Sequence, residues 1–319
     1  MLQEIENTST FANPARGMVS SRSVKHILSI DLEDYFQVEA FAAGVSREDW
    51  DQFPSRVEAN CHRLLDTFDR HGVKATFFVL GWIAQRFPAL VREVHERGHE
   101  LACHSYWHRK ISSLSPAEFR ADTRAARDAI QQAASVRVNG YRAPTWSVTL
   151  ASLWALDILA EEGFSYDSSI FPIQHDLYGI PGASRYPYLH TASNGARLME
   201  FPPATVRVAG RNMPAAGGGW FRIFPLSYTK WAFRRFAAEN RPAVFYLHPW
   251  EIDPEQPRIS ASLKSRLRHY TNLRKTQSRL DDLLRSFQFQ TFQEHLTEHA
   301  YDVSRALPAV LSDLQAAIR

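Results

Sequence analysis

The sequence predicts an α/β fold in which parallel strands are joined by crossover helices. Between residues 26 and 167, short apolar runs alternate with longer stretches whose apolar residues have helical spacing, and five strands are expected by Asp167. Asp31, His104, Arg142 and Asp167 lie at the exits of four of these strands. The carboxyl ends of parallel strands in a barrel share one rim, which carries the active site. A polar site is therefore predicted at that rim.

Composition limits the class of protein. The chain has 319 residues, which suits one large α/β domain or two modest ones. It is 45% hydrophobic and 22% charged, as is usual for globular proteins, and its net charge of +3 is too small to indicate a nucleic-acid partner. The two cysteines, Cys61 and Cys103, exclude a disulfide framework and a four-cysteine zinc site, and both are expected to be buried.

The ends of the chain are predicted to lie outside the fold. Residues 1–23 are polar and lack the apolar core of a signal peptide, so a disordered tail is expected there, and residues 301–319 are expected to form a second tail. No run of about 18 apolar residues occurs. These features predict a cytoplasmic protein without a transmembrane segment, with peripheral association at the inner membrane left open.

Most expected elements of the first half carry start or stop signals. Ser55 and Glu58 have the spacing of a capping box, and Ser115 with Glu118 repeats it. Gly72 is placed to end the first helix in the left-handed conformation. The elements expected are a strand at 26–30, a helix at 55–71, a strand at 74–81, a helix at 82–97, a strand at 99–102, a helix at 115–133, a strand at 139–142, a helix at 149–162 and a strand at 164–167.

The second half is less regular. Residues 171–219 are rich in Pro, Gly and Tyr, which favours long ordered loops over a flexible linker. A helix is expected at about 225–239, and residues 243–247 form an apolar run that predicts a buried strand. That strand ends at His248, a fifth polar residue at a strand exit. A late helix at 280–287 and a short closing segment at 291–296 complete the expected elements.

Two histidines after the third strand are the strongest single signal. His104 and His108 are four residues apart, so a helical turn or a tight loop brings both rings to one side. Two imidazoles beside a carboxylate from elsewhere in the chain make a hydrolytic metal site with room for water. The competing interpretation is an exposed His108 and a core His104 with its hydrogen bonds satisfied.

Five ordered motifs in this chain resemble those of the polysaccharide deacetylase family, also called the NodB-homology or carbohydrate esterase 4 family. The motifs span about residues 26–250 and are Ser29-Ile30-Asp31-Leu32-Glu33-Asp34, Ala75-Thr76-Phe77-Phe78-Val79-Leu80-Gly81, Gly98-His99-Glu100 with His104-Ser105-Tyr106-Trp107-His108, Tyr141-Arg142-Ala143-Pro144, and Leu247-His248-Pro249. The resemblance implies a distorted (β/α) barrel with fewer than eight parallel strands at 24–185. A family-specific C-terminal extension at 186–300 would then pack on it, completing the barrel and shaping the groove.

A narrower branch of the family is also similar. The runs 31–36 and 166–172 and the ending His248-Pro249-Trp250-Glu251 resemble members associated with exosortase-type exopolysaccharide loci. That resemblance implies removal of N-acetyl groups from an exopolysaccharide or from its saccharide precursor. A lipid-linked precursor is included among these substrates. Implied partners are the acetylated saccharide and the exopolysaccharide assembly machinery.

The resemblance implies a zinc site, or one for Co²⁺, Ni²⁺ or Mn²⁺, held by His104, His108 and one carboxylate. Many family members have two adjacent aspartates, but here Leu32 follows Asp31, which matches the general base. Glu33 shares a face with Asp31 on a regular strand, whereas a bulge at the strand exit would favour Asp34. Glu33 and Asp34 therefore both stay open as the third ligand. The alternative for each is a solvated carboxylate in an acidic loop.

The remaining roles complete a hydrolytic mechanism. His248 is the candidate acid, Asp167 its expected partner, and Arg142 matches the arginine that pairs with the base. A backbone N–H near Thr145 is expected to hold the oxyanion. Expected substrate contacts are Tyr141, Thr145, Trp146 and Trp250. Two other functions stay open, namely hydrolysis of a small cyclic amide and a non-catalytic glycan-binding or assembly role.

Overall fold

The computed structural model describes residues 24–299 and shows an α/β protein with eleven strands and ten α-helices in that range. The strands are β1 His26–Leu32, β2 Thr76–Val79, β3 Glu100–Cys103, β4 Gly140–Tyr141, β5 Tyr166–Asp167, β6 Tyr188–Thr191, β7 Arg197–Glu200, β8 Thr205–Val208, β9 Arg211–Pro214, β10 Val244–Leu247 and β11 Phe289–Gln290. The helices are α1 Val57–His71, α2 Gly81–Arg86, α3 Pro88–Glu96, α4 Pro116–Ala134, α5 Trp154–Glu161, α6 Gly218–Ile223, α7 Leu226–Ala238, α8 Leu263–Tyr270, α9 Leu273–Ser286 and α10 Phe292–Glu298.

The main sheet is a curled, mostly parallel half-barrel. Its strand order is β10-β1-β2-β3-β4-β5-β7-β6, in which every neighbouring pair is parallel except β6 and β7. The short strand β11 adds a further parallel pairing to the start of β1. The predicted α/β class and the run of five parallel strands from β1 to β5 are confirmed. Strands β7 and β10, from the second half of the chain, extend the two sides of this run.

The sheet is buried on both faces because its strands are nearly continuous apolar runs. All seven residues of β1 are buried, and so are all four of β2. One apolar cluster lies between the sheet and the helices outside it, and a smaller cluster contains Ile27, Phe78, Tyr166 and Phe292. The ring of Phe292 stacks on Tyr166 at 4.9 Å. The inner face of the half-barrel is therefore packed with side chains, as in other barrels.

Several local predictions are confirmed and others are wrong. Ser115 and Glu118 form the expected capping box, and Gly72 ends α1 with φ 62°. The single helix predicted at 82–97 is two helices, α2 and α3, because Pro88 starts a new helix and cannot continue the earlier one. Residues 171–219, predicted as loops, contain two antiparallel hairpins, β6–β7 and β8–β9. Both cysteines are buried and unpaired.

Within residues 24–299, no helix combines the length and the apolar character needed to cross a membrane. The predicted tails at 1–23 and 301–319 lie outside the described residues.

Candidate active site

The strand exits converge on a pocket of about 200 Å³. Asp31 comes from the end of β1, His104 follows β3, and His248 follows β10. Glu33 and His108 reach the same pocket from the loops just beyond. The predicted convergence of polar residues at one rim is therefore present in the structure.

Glu33, His104 and His108 form a buried cluster with metal-ligand geometry. One ligand atom from each residue lies within 4.8 Å of the other two. Glu33 Oε2 is 2.9 Å from His108 Nε2, yet among the described residues it has no hydrogen-bond partner. A buried carboxylate oxygen normally has a donor. A cation held with His104 and His108 would give Glu33 Oε2 the partner that it lacks among these residues.

The tautomer of His104 also fits a metal. Its Nδ1 lies 2.8 Å from the backbone carbonyl of Arg142, and because a carbonyl only accepts, Nδ1 carries the proton and donates. The lone pair is therefore on Nε2, on the pocket side. Burial, with the nearby His108, lowers the pKa of His104 to about 3, so the ring is neutral. A neutral histidine anchored through its other nitrogen is the usual form of a metal ligand.

His108 is positioned by a tight loop rather than a helical turn. Ser105 and His108 both have positive φ angles, 64° and 50°, which are uncommon for residues with a side chain. The Ser105 hydroxyl accepts a hydrogen bond from the His108 amide at 3.0 Å. Arg47 donates to the carbonyls of Trp107 and His108 at 2.6 and 3.2 Å. These bonds hold a strained loop at the site, a common feature of functional loops.

Of the two carboxylates left open by the sequence, Glu33 is the one in the cluster. Its Oε1 accepts a hydrogen bond of 3.3 Å from Trp250 Nε1, which leaves Oε2 directed at the histidines. Burial acts to raise the pKa of Glu33, but His108 and His248 outweigh it, so the pKa lies below the usual value. The side chain is therefore ionised, as a ligand must be.

Asp34 has a different role, so its candidacy as a ligand is not supported. Its Oδ2 accepts hydrogen bonds from the backbone amides of Arg56 and Val57, at 2.8 and 3.1 Å, at the start of α1. The Ser55 hydroxyl donates to the same oxygen at 2.7 Å. Asp34 thus caps α1 from a distant position in the sequence. The predicted Ser55–Glu58 capping box is wrong because Ser55 is bonded to Asp34 instead.

Asp31 is held by Arg142, as predicted. Arg142 Nη1 donates to Asp31 Oδ1 at 2.6 Å and to Ser29 Oγ at 2.9 Å. The guanidinium is fully buried, and its carbon lies 4.0 Å from the Phe78 ring centre and 4.6 Å from that of Trp146. A charge-assisted bond from a fixed guanidinium keeps one oxygen of Asp31 engaged. The other oxygen, Oδ2, is 3.8 Å from His248 Nε2.

His248 pairs with Glu251, and the predicted pairing with Asp167 is wrong. His248 Nδ1 lies 2.7 Å from Glu251 Oε1, and Nε2 points at Glu33 and Asp31. Burial acts to lower the pKa of His248, but Glu33, Glu251 and Asp31 raise it to about 9. The spacing of His248 and Glu251, three residues apart on a helical turn, was the signal available in the sequence.

Glu251 is itself fixed by a buried arginine that the sequence analysis missed. Arg222 Nε donates to Glu251 Oε2 at 2.5 Å, and both side chains are buried. The remaining Arg222 nitrogens donate to the carbonyls of Arg268, His269 and Thr271. Arg222, Glu251 and His248 therefore form a three-member chain that ends in the pocket.

Asp167 belongs to a second buried acid pair. It accepts a hydrogen bond from Ser169 Oγ at 2.6 Å and faces Glu200. Burial, and then the charge and hydrogen bond of Asp167, raise the pKa of Glu200 well above its usual value. Burial also raises the pKa of Asp167, to about 6. The pair therefore holds a proton more tightly than ordinary carboxyl groups do, and it supports the strand ends rather than His248.

The expected substrate contacts are distributed unevenly. Thr145, Trp146 and Trp250 line the pocket, whereas Tyr141 is fully buried between Phe119 and Phe164 and does not. Thr145 and Trp146 have consecutive positive φ angles of 56° and 53°, so the turn after β4 is strained.

Trp250 is not an open platform for a sugar ring. It stacks on His248 at 5.0 Å and on His269 at 4.1 Å, with interplanar angles of 22° and 13°. Because both neighbours lie parallel to the indole, its role is to hold His248 and Glu33 in place.

The fold and the site define a class: α/β half-barrel proteins with a buried His-His-carboxylate cluster at the carboxyl ends of the strands. Two regions of the chain match known families. Residues 49–161 match the polysaccharide deacetylase family model, and residues 168–297 match a domain of unknown function, DUF3473. The first of these regions is therefore a polysaccharide deacetylase domain within the chain.

Individual relatives match over short stretches. A peptidoglycan-N-acetylglucosamine deacetylase of Bacillus cereus is 38% identical over 58 residues, which are 18% of this chain and 21% of the relative. A chitooligosaccharide deacetylase of Bradyrhizobium sp. is 35% identical over 98 residues, 30% of this chain and 42% of the relative. The matches therefore span less than half of either relative.

Solved structures show the same fold at low identity. A protein of Mycobacterium smegmatis assigned as a polysaccharide deacetylase superimposes with a TM-score of 0.59 and 20% identity, covering 96% of this chain and 98% of that one. The allantoinase PuuE gives a TM-score of 0.57 at 15% identity, over 88% and 93% of the two chains.

The two matched regions meet in one site. His104, His108 and Arg142 lie in the deacetylase match, whereas His248, Trp250 and Glu251 lie in the DUF3473 match.

Proposed function

We propose that the protein is a metal-dependent hydrolase that removes N-acetyl groups from an exopolysaccharide or from its saccharide precursor, a lipid-linked precursor included. The observation that carries this proposal is the arrangement around one pocket. The Glu33, His104 and His108 cluster lies between a carboxylate fixed by arginine, Asp31, and a histidine fixed by glutamate, His248. Amide hydrolysis requires these three functions, which are an electrophile site, a base and an acid.

Glu33, His104 and His108 would hold the metal. Two nitrogen donors and one carboxylate, with room for a further ligand, suit Zn²⁺ and also Co²⁺, Ni²⁺ or Mn²⁺. A bound ion would supply Lewis-acid activation of the acetyl carbonyl and of the attacking water.

The protein's own residues move the protons. Asp31 Oδ2 is the free oxygen of a carboxylate whose other oxygen is bound to Arg142, so it accepts the proton of the attacking water. His248 Nε2 donates a proton to the leaving amine, and its raised pKa keeps it protonated until then. Glu251 fixes the orientation of the ring through Nδ1. The strained turn at Thr145 lines the pocket and is the proposed source of a backbone N–H for the oxyanion.

A second cavity supports a saccharide larger than one residue. This cavity has a volume of about 810 Å³ and is lined by Trp220. The preceding residue, Gly219, lines the pocket of about 200 Å³. His175 connects the two walls, because it stacks on Tyr178 at 4.0 Å and meets the edge of Trp220 at 6.2 Å. The acetamido group would then enter the small pocket while neighbouring sugars occupy the larger cavity.

The small pocket also favours a second candidate, hydrolysis of a small cyclic amide. A volume of about 200 Å³ is below the usual range for ligand pockets, roughly 300–1,000 Å³. The allantoinase has the same fold, and the fold alone does not separate the two substrates.

A substrate panel distinguishes these functions. Zinc-loaded protein is incubated with N-acetylated oligosaccharides of increasing length and with cyclic ureides such as allantoin, and acetate release and ring opening are measured. The proposal expects acetate release that rises with oligosaccharide length, and its loss in Asp31→Asn. Ring opening without acetate release would replace the deacetylase proposal. Saccharide binding without turnover, unaffected by Asp31→Asn, would support the glycan-binding alternative.

A further inference from the structure

The exposed apolar side chains of this protein are concentrated in one area. Among the described residues, six large apolar side chains are exposed, and Val208 and Trp231 are isolated examples. The other four form what we call the rim surface. They are Leu177 (47% exposed), Ile223 (46%), Leu263 (71%) and Leu267 (59%). Leu263 and Leu267 are four residues apart on α8 and so lie on one face of that helix.

The segments that carry these side chains are bound to one another. Asp176, beside Leu177, accepts an ion pair of 2.6 Å from Lys264 on α8. Arg222, beside Ile223, donates to the carbonyl oxygen of Arg268 at 3.0 Å. The rim surface is therefore a continuous part of the fold, made of three tied segments.

The rim surface adjoins segments that line the active-site pocket. Leu177, Ile223 and Leu267 are each adjacent in the chain to a residue that lines the pocket of about 200 Å³. Those pocket residues are Tyr178, Arg222 and Arg268. Whatever the rim surface binds is therefore held next to the substrate entrance.

The chain around α8 is strongly cationic. Residues 258–275 contain six basic residues and neither aspartate nor glutamate. The basic residues are Arg258, Lys264, Arg266, Arg268, Arg274 and Lys275. Within residues 24–299, Asp176 compensates Lys264 and Arg268, and Glu255 lies 3.6 Å from Arg274. The other three basic residues are Arg258, Arg266 and Lys275. None of them forms an ion pair with a carboxylate in the described part of the chain.

We propose that the rim surface docks on an anionic lipid bilayer. Exposed leucines flanked by cations are the composition of interfacial segments, in which the apolar side chains enter the headgroup region and the cations meet lipid phosphates. A protein partner is matched less well, because protein interfaces are enriched in aromatic residues and none of the four exposed apolar side chains is aromatic. The rim surface lies wholly in the region matched by DUF3473. Docking on a bilayer would therefore be a role of that region.

Docking has a consequence for the substrate that rests on the proposed deacetylase function. With the rim surface on the bilayer, the pocket mouth faces the lipid headgroups. A saccharide whose lipid anchor lies in the same bilayer would then be presented to the pocket at high effective concentration.

Vesicle sedimentation tests the docking. The full chain is mixed with phosphatidylglycerol vesicles and, separately, with phosphatidylcholine vesicles, over a range of salt concentrations. We expect binding to phosphatidylglycerol that weakens as salt screens the cations, and little binding to phosphatidylcholine. Leu263→Ser with Leu267→Ser should abolish binding, and Arg266→Gln with Lys275→Gln should lower it roughly thirtyfold.

Matched controls lie outside the rim surface. Val208→Ser removes a similar exposed apolar side chain, and Arg137→Gln with Arg234→Gln removes two exposed cations, so both controls should bind as the wild type does. Failure to bind phosphatidylglycerol at low salt would overturn the proposal, as would equal losses in the controls. A dimer that depends on Leu263 and Leu267, without vesicle binding, would also overturn it and identify a second copy as the occupant.

Acetate release from a soluble oligosaccharide separates the two proposals. The leucine variants should keep wild-type release while losing vesicle binding. Release that is absent in the wild type would count against the proposed function and leave the docking result standing.

Discussion

Replacing Trp250 by phenylalanine should weaken metal binding while leaving the fold intact. The indole N–H donates to Glu33 Oε1 at 3.3 Å, and this is the bond that leaves Oε2 free to face the histidines. A phenyl ring can still stack between His248 and His269, so the change removes chiefly the donor.

The size of the effect follows from the bond that is lost. A hydrogen bond to a charged acceptor contributes about 1.5–3 kcal/mol, and a length of 3.3 Å places this one near the lower limit. A loss of about 1.5 kcal/mol corresponds to a roughly tenfold increase in the metal Kd. Residues that orient metal ligands typically contribute about 10–100-fold to metal affinity, which agrees with this magnitude.

The assay is a competition between the protein and a zinc chelator. Trp82→Phe is the matched control, because Trp82 is also a buried tryptophan but packs against Phe36 and Trp50, outside the pocket-lining residues. Denaturant unfolding of both variants measures the cost of the smaller ring. A Trp250→Phe protein that binds zinc as tightly as the wild type would refute the assignment of Glu33 as a ligand oriented by Trp250.

Three further predictions concern the carboxylates. Glu33→Gln should reduce zinc affinity by more than about a hundredfold in chelator competition. Asp34→Ala should leave zinc affinity unchanged in the same assay. It should lower the unfolding free energy by about 1–2 kcal/mol in denaturant unfolding. Asp31→Asn should reduce kcat by about 10²–10⁴ with less than a tenfold change in zinc affinity, and a comparable loss of zinc would contradict its role as the base. Because the folded-state pKa of Glu200 is raised, the contribution of Glu200 to wild-type stability should be fully present below the ordinary carboxyl pKa of about 4.3 and be lost as pH rises through the raised pKa, by at most about 1.4 kcal/mol per pH unit. Glu200→Gln cannot ionise and should show a shallower fall between pH 5 and pH 8 in denaturant unfolding, and an equal slope would show that Glu200 does not hold that proton.

The parallel half-barrel was predictable because its signals are local. Each of β1, β2 and β3 is a short apolar run, and polar residues follow at the rim. The two histidines of the cluster were predictable for the same reason, since they are only four residues apart, although a strained loop rather than a helical turn brings them together. The hairpins of residues 171–219 were not predicted, because Pro and Gly mark turns without indicating how long the strands between them are.

The partners of the candidate catalytic groups depend on contacts between distant segments. Asp34 caps a helix that begins 23 residues later, which no short-range pattern announces. Arg222 reaches Glu251 across 29 positions, and nothing in its sequence neighbourhood marks it as part of a site. Asp167 has the strand-exit position of a catalytic residue. Its side chain, however, pairs with Glu200 on the neighbouring strand β7. Sequence thus located the strand exits, while the folded structure was needed to pair the side chains found there.

The most direct test of the central claim is a zinc titration of metal-stripped protein, with acetate release from an N-acetylated oligosaccharide measured at each addition. The account predicts that release is absent in the stripped protein and rises linearly until one zinc is bound per chain, and that Glu33→Gln shows neither the binding nor the release. Full acetate release by the stripped protein, or zinc bound in the wild type and in Glu33→Gln with equal affinity, would contradict it.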